Sequence, residues 1–395
     1  MQRSMDALRN PPPSHHKSAL PLPDHVALLL QGGGALGSFQ AGVYEQLVRY
    51  DIEVDWVAGI SIGAINAAII AGNPPEARIP KMRSFWEKLS SGFPDLLFWD
   101  NHDLREMTHL ASAGAVSMFG VPGFFHPHMI PPLLAQKGTA TATSLYDTSP
   151  LIETLNAHID WDLLNDGPVR LSVGAVDVES GNFCYFDTGG RKPDRIDHRH
   201  IMASGALPPG LPSVEIDGRH YWDGGLVSNT PLGHVLDHQA GDMLIFQVDL
   251  FPAEGQLPQE LTDVWSRTKD IQYSSRTRHV TDQYLQLMRL HNAVHKVLDK
   301  LPDALVDDPD VARLRKLTDH GSVNIVHLIY RSREWESGAR DFEFSRATML
   351  DHWMQGGEAV AGVMHKGDLI ARNIVSGKSS TFDLQSQEQM KEKTI

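Results

Sequence analysis

Three short stretches of the chain pair reactive residue types with glycine. In Gly59-Ile60-Ser61-Ile62-Gly63 a serine stands between two glycines. This G-x-S-x-G pattern lifts a hydroxyl onto a sharp turn between a strand and a helix. Gly32, Gly33 and Gly34, with Gly37 shortly after, form a glycine run ahead of a helical pattern. Such a run can aim backbone N–H groups at an anion, with the positive end of the helix behind it. Trp222-Asp223-Gly224-Gly225 sets a carboxylate at a strand end. Together these supply the parts of acyl transfer: a hydroxyl nucleophile, a base, and donors for the oxyanion that develops when an ester carbonyl is attacked.

The glycine run has a competing reading. Gly32, Gly34 and Gly37 satisfy G-x-G-x-x-G, the dinucleotide-binding fingerprint. That fold needs an acidic residue at the end of its second strand, about 20 residues on, to hold the ribose. Here the second strand ends in Ala58, Gly59 and Ile60, while Asp51, Glu53 and Asp55 precede or open it. The loop is therefore expected to hold an oxyanion and not a pyrophosphate, and no cofactor is implied. For the base, an order Ser…Asp/Glu…His would have to draw on His291, His295, His320, His327 or His352, which lie in the C-terminal part without a local signature. Asp223 could instead take the proton directly, provided that burial raises its carboxyl from about 3.9 toward the working pH. Standing alone, D-G-G equally describes a turn aspartate that caps its own backbone.

The elements that must position these groups follow from periodicity. His25–Leu30 reads as a buried strand, Ala35–Tyr50 as a helix and Val54–Ala58 as a second strand. An apolar helix follows Ser61 and ends at Asn73-Pro74-Pro75, and Ala77–Leu89 resumes helical spacing. Residues 91–148 show no clean period and are rich in Phe, Trp, Met, Gly and Pro, including Phe98-Trp99 and Phe124-Phe125. They read as an aromatic, lid-like insertion that covers the site or dips into a lipid surface, or else as a loop packed on the core. Pro168–Glu179 and Phe183–Phe186 form strands about a turn, His200–Leu207 a short helix, Val214–Ile216 and Arg219–Trp222 a hairpin through Asp217-Gly218, and Met243–Val248 a buried strand. Beyond residue 251 the pattern changes to long polar helices near 259–300 and 308–318, a strand near 322–330 and a helix near 345–365. The expected organisation is a flexible leader (1–23), a catalytic α/β domain (24–250), a mainly helical extension (251–373) and a disordered tail (374–395).

Composition narrows the function classes. A net charge of −14 and a sequence pI near 5.7 exclude a general electrostatic grip on nucleic acid. The lone Cys184 excludes an internal disulfide or a cysteine zinc site, and the histidines lack helical metal-ligand spacing, so no metal is expected. No secretory h-region or 18-residue apolar run is present, which points to a cytoplasmic protein. The locally basic loop from Arg191-Lys192 to Arg199-His200 reads as a solvated turn or as a headgroup contact.

QGGGALG, GISIG and DGG, in this order, with ASGALP (Ala203–Pro208) a short interval before the last, resemble the patatin-like phospholipases. The four blocks cover roughly residues 24–250. The resemblance implies a three-layer α/β/α core with a largely parallel central sheet, and a serine lipid acyl hydrolase with a Ser–Asp dyad and no catalytic histidine. It makes Ser61 the nucleophile, Asp223 the proton acceptor, and Gly32, Gly33 and Gly34 the oxyanion hole, with Gly37, Gly59, Gly63, Gly224 and Gly225 as motif glycines. The implied partner is a lipid or acyl-ester substrate, with peripheral membrane contact and no nucleic acid. Leu36 stands where many members carry Arg or Lys. A non-lipid carboxylesterase, including one that cleaves intracellular polyester, and a non-catalytic scaffold of the same fold are the alternatives. The part after 251 resembles a helical extension of some bacterial members.

Overall fold

The computed structural model describes residues 20–92, 102–239, 241–302, 305, 308–318, 321–333, 336 and 338–384. In chain order its elements begin with β1 (His25–Leu30), α1 (Gly37–Arg49), β2 (Trp56–Gly59), α2 (Ile62–Ala71), α3 (Pro75–Leu89) and α4 (His102–Phe119). There follow β3 (His126–Pro127), α5 (Ala140–Thr143), β4 (Tyr146–Asp147), α6 (Ser149–His158), α7 (Trp161–Asp166), β5 (Arg170–Asp177), β6 (Phe183–Asp187) and α8 (His198–Ser204). The remainder is β7 (Val214–Ile216), β8 (Arg219–Asp223), α9 (Leu232–Asp237), β9 (Met243–Asp249), α10 (Leu261–Leu298), α11 (Pro309–Thr318), β10 (Val323–Ile329), α12 (Arg346–Met364), α13 (Gly367–Val375) and β11 (Ser380–Phe382).

The central sheet has nine strands, in the order β11-β10-β9-β1-β2-β5-β8-β7 with β6 branching from β5. From β11 to β5 every pairing is parallel; β6, β7 and β8 run antiparallel at one side. Strands buried on both faces read as continuous apolar runs, and β1 illustrates why. Leu28 and Leu30 join the core under α1, α2, α3 and α12, while Ala27 and Leu29 face the opposite core under α9 and α10. Complete burial of each such leucine stabilises the fold by about 2 kcal/mol. Helices thus cover both faces of a mostly parallel sheet, the α/β architecture expected from the alternation of elements.

Several boundaries and two regions differ from the sequence reading. The second strand runs from Trp56 to Gly59, and a 3-10 turn at Gly34–Leu36 precedes α1. Within 91–148, residues 102–119 are the helix α4, and Phe124 and Phe125 are buried, not presented on a lid. Phe98-Trp99 lies outside the described residues. Helices α6 and α7 were not foreseen. The leader expected to run to residue 23 is already packed at Leu20, which is buried against the core near Gly367. The tail assigned to 374–395 supplies β11, paired in parallel with β10 through Asn324–Ser380 and its neighbours, because Ser380 and Phe382 are buried at that edge.

Candidate active site

The register of β5 brings the two candidate catalytic residues together. Val173 pairs with Gly59 of β2 on one edge and with Phe186 of β6 on the other. Two residues on, Ala175 pairs with Cys184 of β6 and with Asp223 of β8. Since β6 holds one edge throughout, β8 enters the lane that β2 vacates. Ser61, just past the end of β2, therefore meets Asp223, the last residue of β8, head-on.

Ser61 sits at φ 55° and ψ −124°, in the left-handed half of backbone space that serine rarely adopts, at the N-cap of α2. Strain of this kind persists only where the surroundings impose it. Here the chain turns within hard contact of itself. A Cβ on Gly59 would overlap the Gly63 backbone, and one on Gly63 would overlap the Leu30 carbonyl. The Ser61 amide donates to Ser204 Oγ (2.9 Å), which in turn donates to the carbonyl of Gly174 in β5 (2.7 Å). Ser204 belongs to the ASGALP stretch, and Ala206 of the same stretch accepts the Asp223 amide (3.0 Å). One segment thus fixes the backbones of both candidate catalytic residues.

The Asp223 carboxylate is deeply buried, with 2% of its surface exposed, which is the condition that its role as a base required. Its Oδ1 accepts the Gly225 amide at 2.7 Å, so the turn-capping role is real, and the Ser61 side chain is near enough to favour its ionised form. Desolvation pushes its pKa up to about 7, and the Gly225 hydrogen bond and the Ser61 side chain pull it only partly back. A side chain at Gly224 would press on the Gly174 carbonyl, and one at Gly225 on Asn229 and Asp223 itself.

The glycine loop lies opposite. Its base is held by Gln31, whose amide oxygen accepts from Leu250 N (2.6 Å) and Phe251 N (3.1 Å) and whose carbonyl accepts from Gln40. Gln40 continues into a buried network with Asn66, which accepts the Trp86 indole N–H. Asn229 bridges to the loop twice: its side-chain amide donates to the Gly32 carbonyl (2.9 Å), and its own carbonyl accepts the Gly32 amide (3.3 Å). The three glycines therefore do not act alike. Gly32 spends its N–H on Asn229 and serves by closeness, since a Cβ there would come 3.0 Å from that of Ser61. The amides of Gly33 and Gly34 have no partner among the described residues and remain available as candidate donors. Gly34 takes a φ of +55°, and a side chain on it would overlap the Asp341 carbonyl. Gly37 is needed because Ile62 and Trp86 press against it, and Leu36 is fully buried.

These groups share one cavity of about 390 Å³, within the range of small-molecule sites. Ser61, Asp223, Asn229 and the glycine loop form its polar end, and Phe124, Phe125, Leu207, Leu211, Phe251 and Phe344 its apolar walls. Asp223 and Asp341 are the only charged residues in its lining among the described residues. Asp341 and Phe342 come from a strap that the long helix α10 clasps by two crossed ion pairs, Lys269–Asp341 (2.7 Å) and Asp270–Arg340. A second cavity, of about 450 Å³, is lined by Val26, Asp55 and Arg78 at the other end of the strands and contains none of these groups. Among the described residues no cluster of His, Cys, Asp or Glu is arranged to hold a metal ion. In the basic loop, Arg195 pairs with Asp166 and Arg199 with Asp197, and the loop is absent from the cavity lining. The sequence reading missed Ser204, Asn229 and Gln31 as positioning residues. Ser204 and Gln31 carried a signal, through their places in ASGALP and QGGGALG; Asn229 carried none.

Residues 28–236, just over half of the chain, match the family described as patatin-like phospholipase, and residues 271–373 match one described as patatin phospholipase. A patatin-like phospholipase domain-containing protein of Caenorhabditis elegans is 29% identical over 73 residues, which cover 18% of this chain and 7% of that protein. Among solved structures, VipD from Legionella pneumophila aligns over 89% of this chain and 67% of its own, with 13% identity and a TM-score of 0.36. The type III effector ExoU, from Pseudomonas aeruginosa, aligns over 89% of this chain and 54% of its own, with 17% identity and a TM-score of 0.31.

Proposed function

Since the chain belongs to the patatin-like phospholipases, a family of lipid hydrolases, we propose that it is a serine acyl hydrolase that cleaves fatty-acyl carboxylic esters through Ser61, with Asp223 as the base. The observation that carries this reading is the convergence of Ser61 and the buried Asp223 carboxylate on one largely apolar cavity, beside two amides with no partner among the described residues; burial, which pushes the Asp223 carboxyl up, supports the same role. Asp223 takes the hydroxyl proton as Ser61 Oγ attacks the ester carbonyl. The Gly33 and Gly34 amides receive the negative charge that forms on the carbonyl oxygen; one such donor typically contributes about 3 kcal/mol. Collapse breaks the bond to the alcohol oxygen, and Asp223 returns its proton to that oxygen. The acyl group stays on Ser61 until a water, deprotonated by Asp223, attacks it; the bond to Ser61 Oγ breaks, Asp223 returns the proton to that oxygen, and the acyl group leaves as a fatty acid. The N-terminus of α2 adds a favourable dipole at the nucleophile.

A fluorophosphonate probe and a p-nitrophenyl acyl ester test the reading together. The protein should label at Ser61 and turn over the ester; Ser61→Ala should lose both, and Asp223→Asn should lose at least about 10³-fold in kcat/KM. Full activity in either variant would overturn it. The absence of any cation from the cavity lining among the described residues, together with buried Leu36, favours esters whose acyl and alcohol parts are uncharged near the reacting carbonyl. This is the reading under which a non-lipid carboxylesterase activity would also be found.

A further inference from the structure

The cavity opens beside an apolar surface that the mechanism does not use. The β3–β4 pair carries the segment 128–145, and Tyr146 at its base donates to the Ser117 carbonyl at the end of α4 (2.9 Å). Leu145 N is held by the Pro209 and Gly210 carbonyls, and Ser117, Leu145, Tyr146, Pro209 and Gly210 all line the cavity. From this rim Met118, Phe119, Met129, Ile130, Leu133 and Leu134 project into solvent, with Met129 and Leu133 about fully exposed at 100% and 99%. Soluble proteins seldom display so many large apolar side chains together unless the patch meets another surface.

What it meets is indicated by charge and by position. From Ala111 to Tyr146 the sequence holds one charged residue, Lys137, so the lip brings neither a basic cluster for anionic headgroups nor an acidic fringe against them. The whole chain, at −14, is repelled by anionic lipid. The lip is also continuous with the cavity mouth: Leu145 both lines the cavity and is half-exposed. We propose that this lip, Met118-Phe119 together with 129–134, inserts into a lipid surface of no net charge, so that an acyl chain passes from the lipid into the cavity without crossing water. The inference rests on the acyl-hydrolase reading for its purpose, but not for its test. It also moves the membrane contact away from Phe124 and Phe125, which are buried in the cavity wall.

Flotation with phosphatidylcholine vesicles provides the test, run on the full chain and on Ser61→Ala. Both should bind, with little change between low and high salt. The triple substitution Met129→Ser/Leu133→Ser/Leu134→Ser should weaken binding at least tenfold and leave turnover of a short soluble ester unchanged. In Leu133→Trp, the added indole's emission should shift blue on vesicles. Binding of the triple variant equal to the parent, binding that requires phosphatidylglycerol and vanishes with salt, or a parent dimer that the triple variant dissolves would each overturn the proposal; the last would make the lip an interface between copies. Vesicle binding by the parent chain with no ester turnover by that same parent would sink the hydrolase reading and leave the lip standing.

Discussion

Replacing Asp223 by asparagine should abolish turnover and yet stabilise the fold at neutral pH, by an amount that depends on pH in a defined way. Asp223 is buried, and its carboxyl is raised from 3.8 to about 7 by desolvation. In the unfolded chain it ionises near pH 4, whereas the folded protein keeps the proton until about pH 7. Stability therefore falls as pH rises through that interval and is level above it. Roughly three pKa units at 1.36 kcal/mol each give a penalty of about 4 kcal/mol at pH 8. Asp223→Asn has no charge to bury: its amide oxygen can still accept from Gly225, and its NH₂ can donate to Ser61. The variant should match the parent near pH 4, gain steadily to pH 7, and melt on the order of 8 °C higher at pH 8, taking about 2 °C per kcal/mol for a chain of this size. Urea denaturation and thermal melts at pH 4.5, 6, 7 and 8.5 would measure the difference directly. In the parent, kcat/KM should drop tenfold per unit below about pH 7, because the base must be ionised. A stability difference that is flat across this range, or a variant less stable at pH 8, would refute the premise that this carboxylate titrates in a dry site.

Two further outcomes follow from the loop and the elbow. Gly34→Ala should cost at least about 10²-fold in kcat with a small change in KM, since φ +55° and the Asp341 carbonyl leave no room for a methyl; Gly33→Ala, in extended backbone at φ 172° and facing the movable Leu250 side chain, should cost markedly less. Ser204→Ala should remove the bridge between the Ser61 amide and β5, lowering fluorophosphonate labelling about tenfold or more while the pH midpoint of activity stays put, because Ser204 touches the backbone of Ser61 and not the carboxylate.

Much of this site was legible because it is local. A strand that runs into glycines and then into a helix is written in consecutive residues, and the Asp217-Gly218 hairpin delivers Asp223 within a few residues of its turn. What the sequence withheld depends on distant pairing. Nothing near Asp223 announces that β8 will occupy the lane left by β2, so its near-complete burial could not be read from D-G-G. The division of labour among Gly32, Gly33 and Gly34 is set by Asn229, nearly 200 positions away. Helix α4 escaped notice because its C-terminal half, Ala111–Phe119, is a run of small residues and glycine without a clear polar face, and its last side chains point into solvent. β11 escaped because three residues in a polar tail form a strand only when β10 offers an edge.

The same long-range packing accounts for Leu36. The turn Gly34–Leu36 packs against the strap Arg340–Phe342 and against α12. Helices α1 and α12 meet backbone to backbone: a side chain on Gly42 would overlap the Trp353 carbonyl, and one on Gly356 the Phe39 carbonyl. A Lys or Arg at position 36 would thus be sealed in a fully buried site, and an unpaired buried charge costs several kcal/mol. The chain after residue 251 is in this way coupled to the candidate site. By adding β10 and β11 to the sheet, clasping the strap through Lys269 and Arg340, and seating the Asp341 carbonyl against Gly34, it sets the shape of the loop proposed to receive the oxyanion, and it makes an apolar residue at position 36 the one that fits.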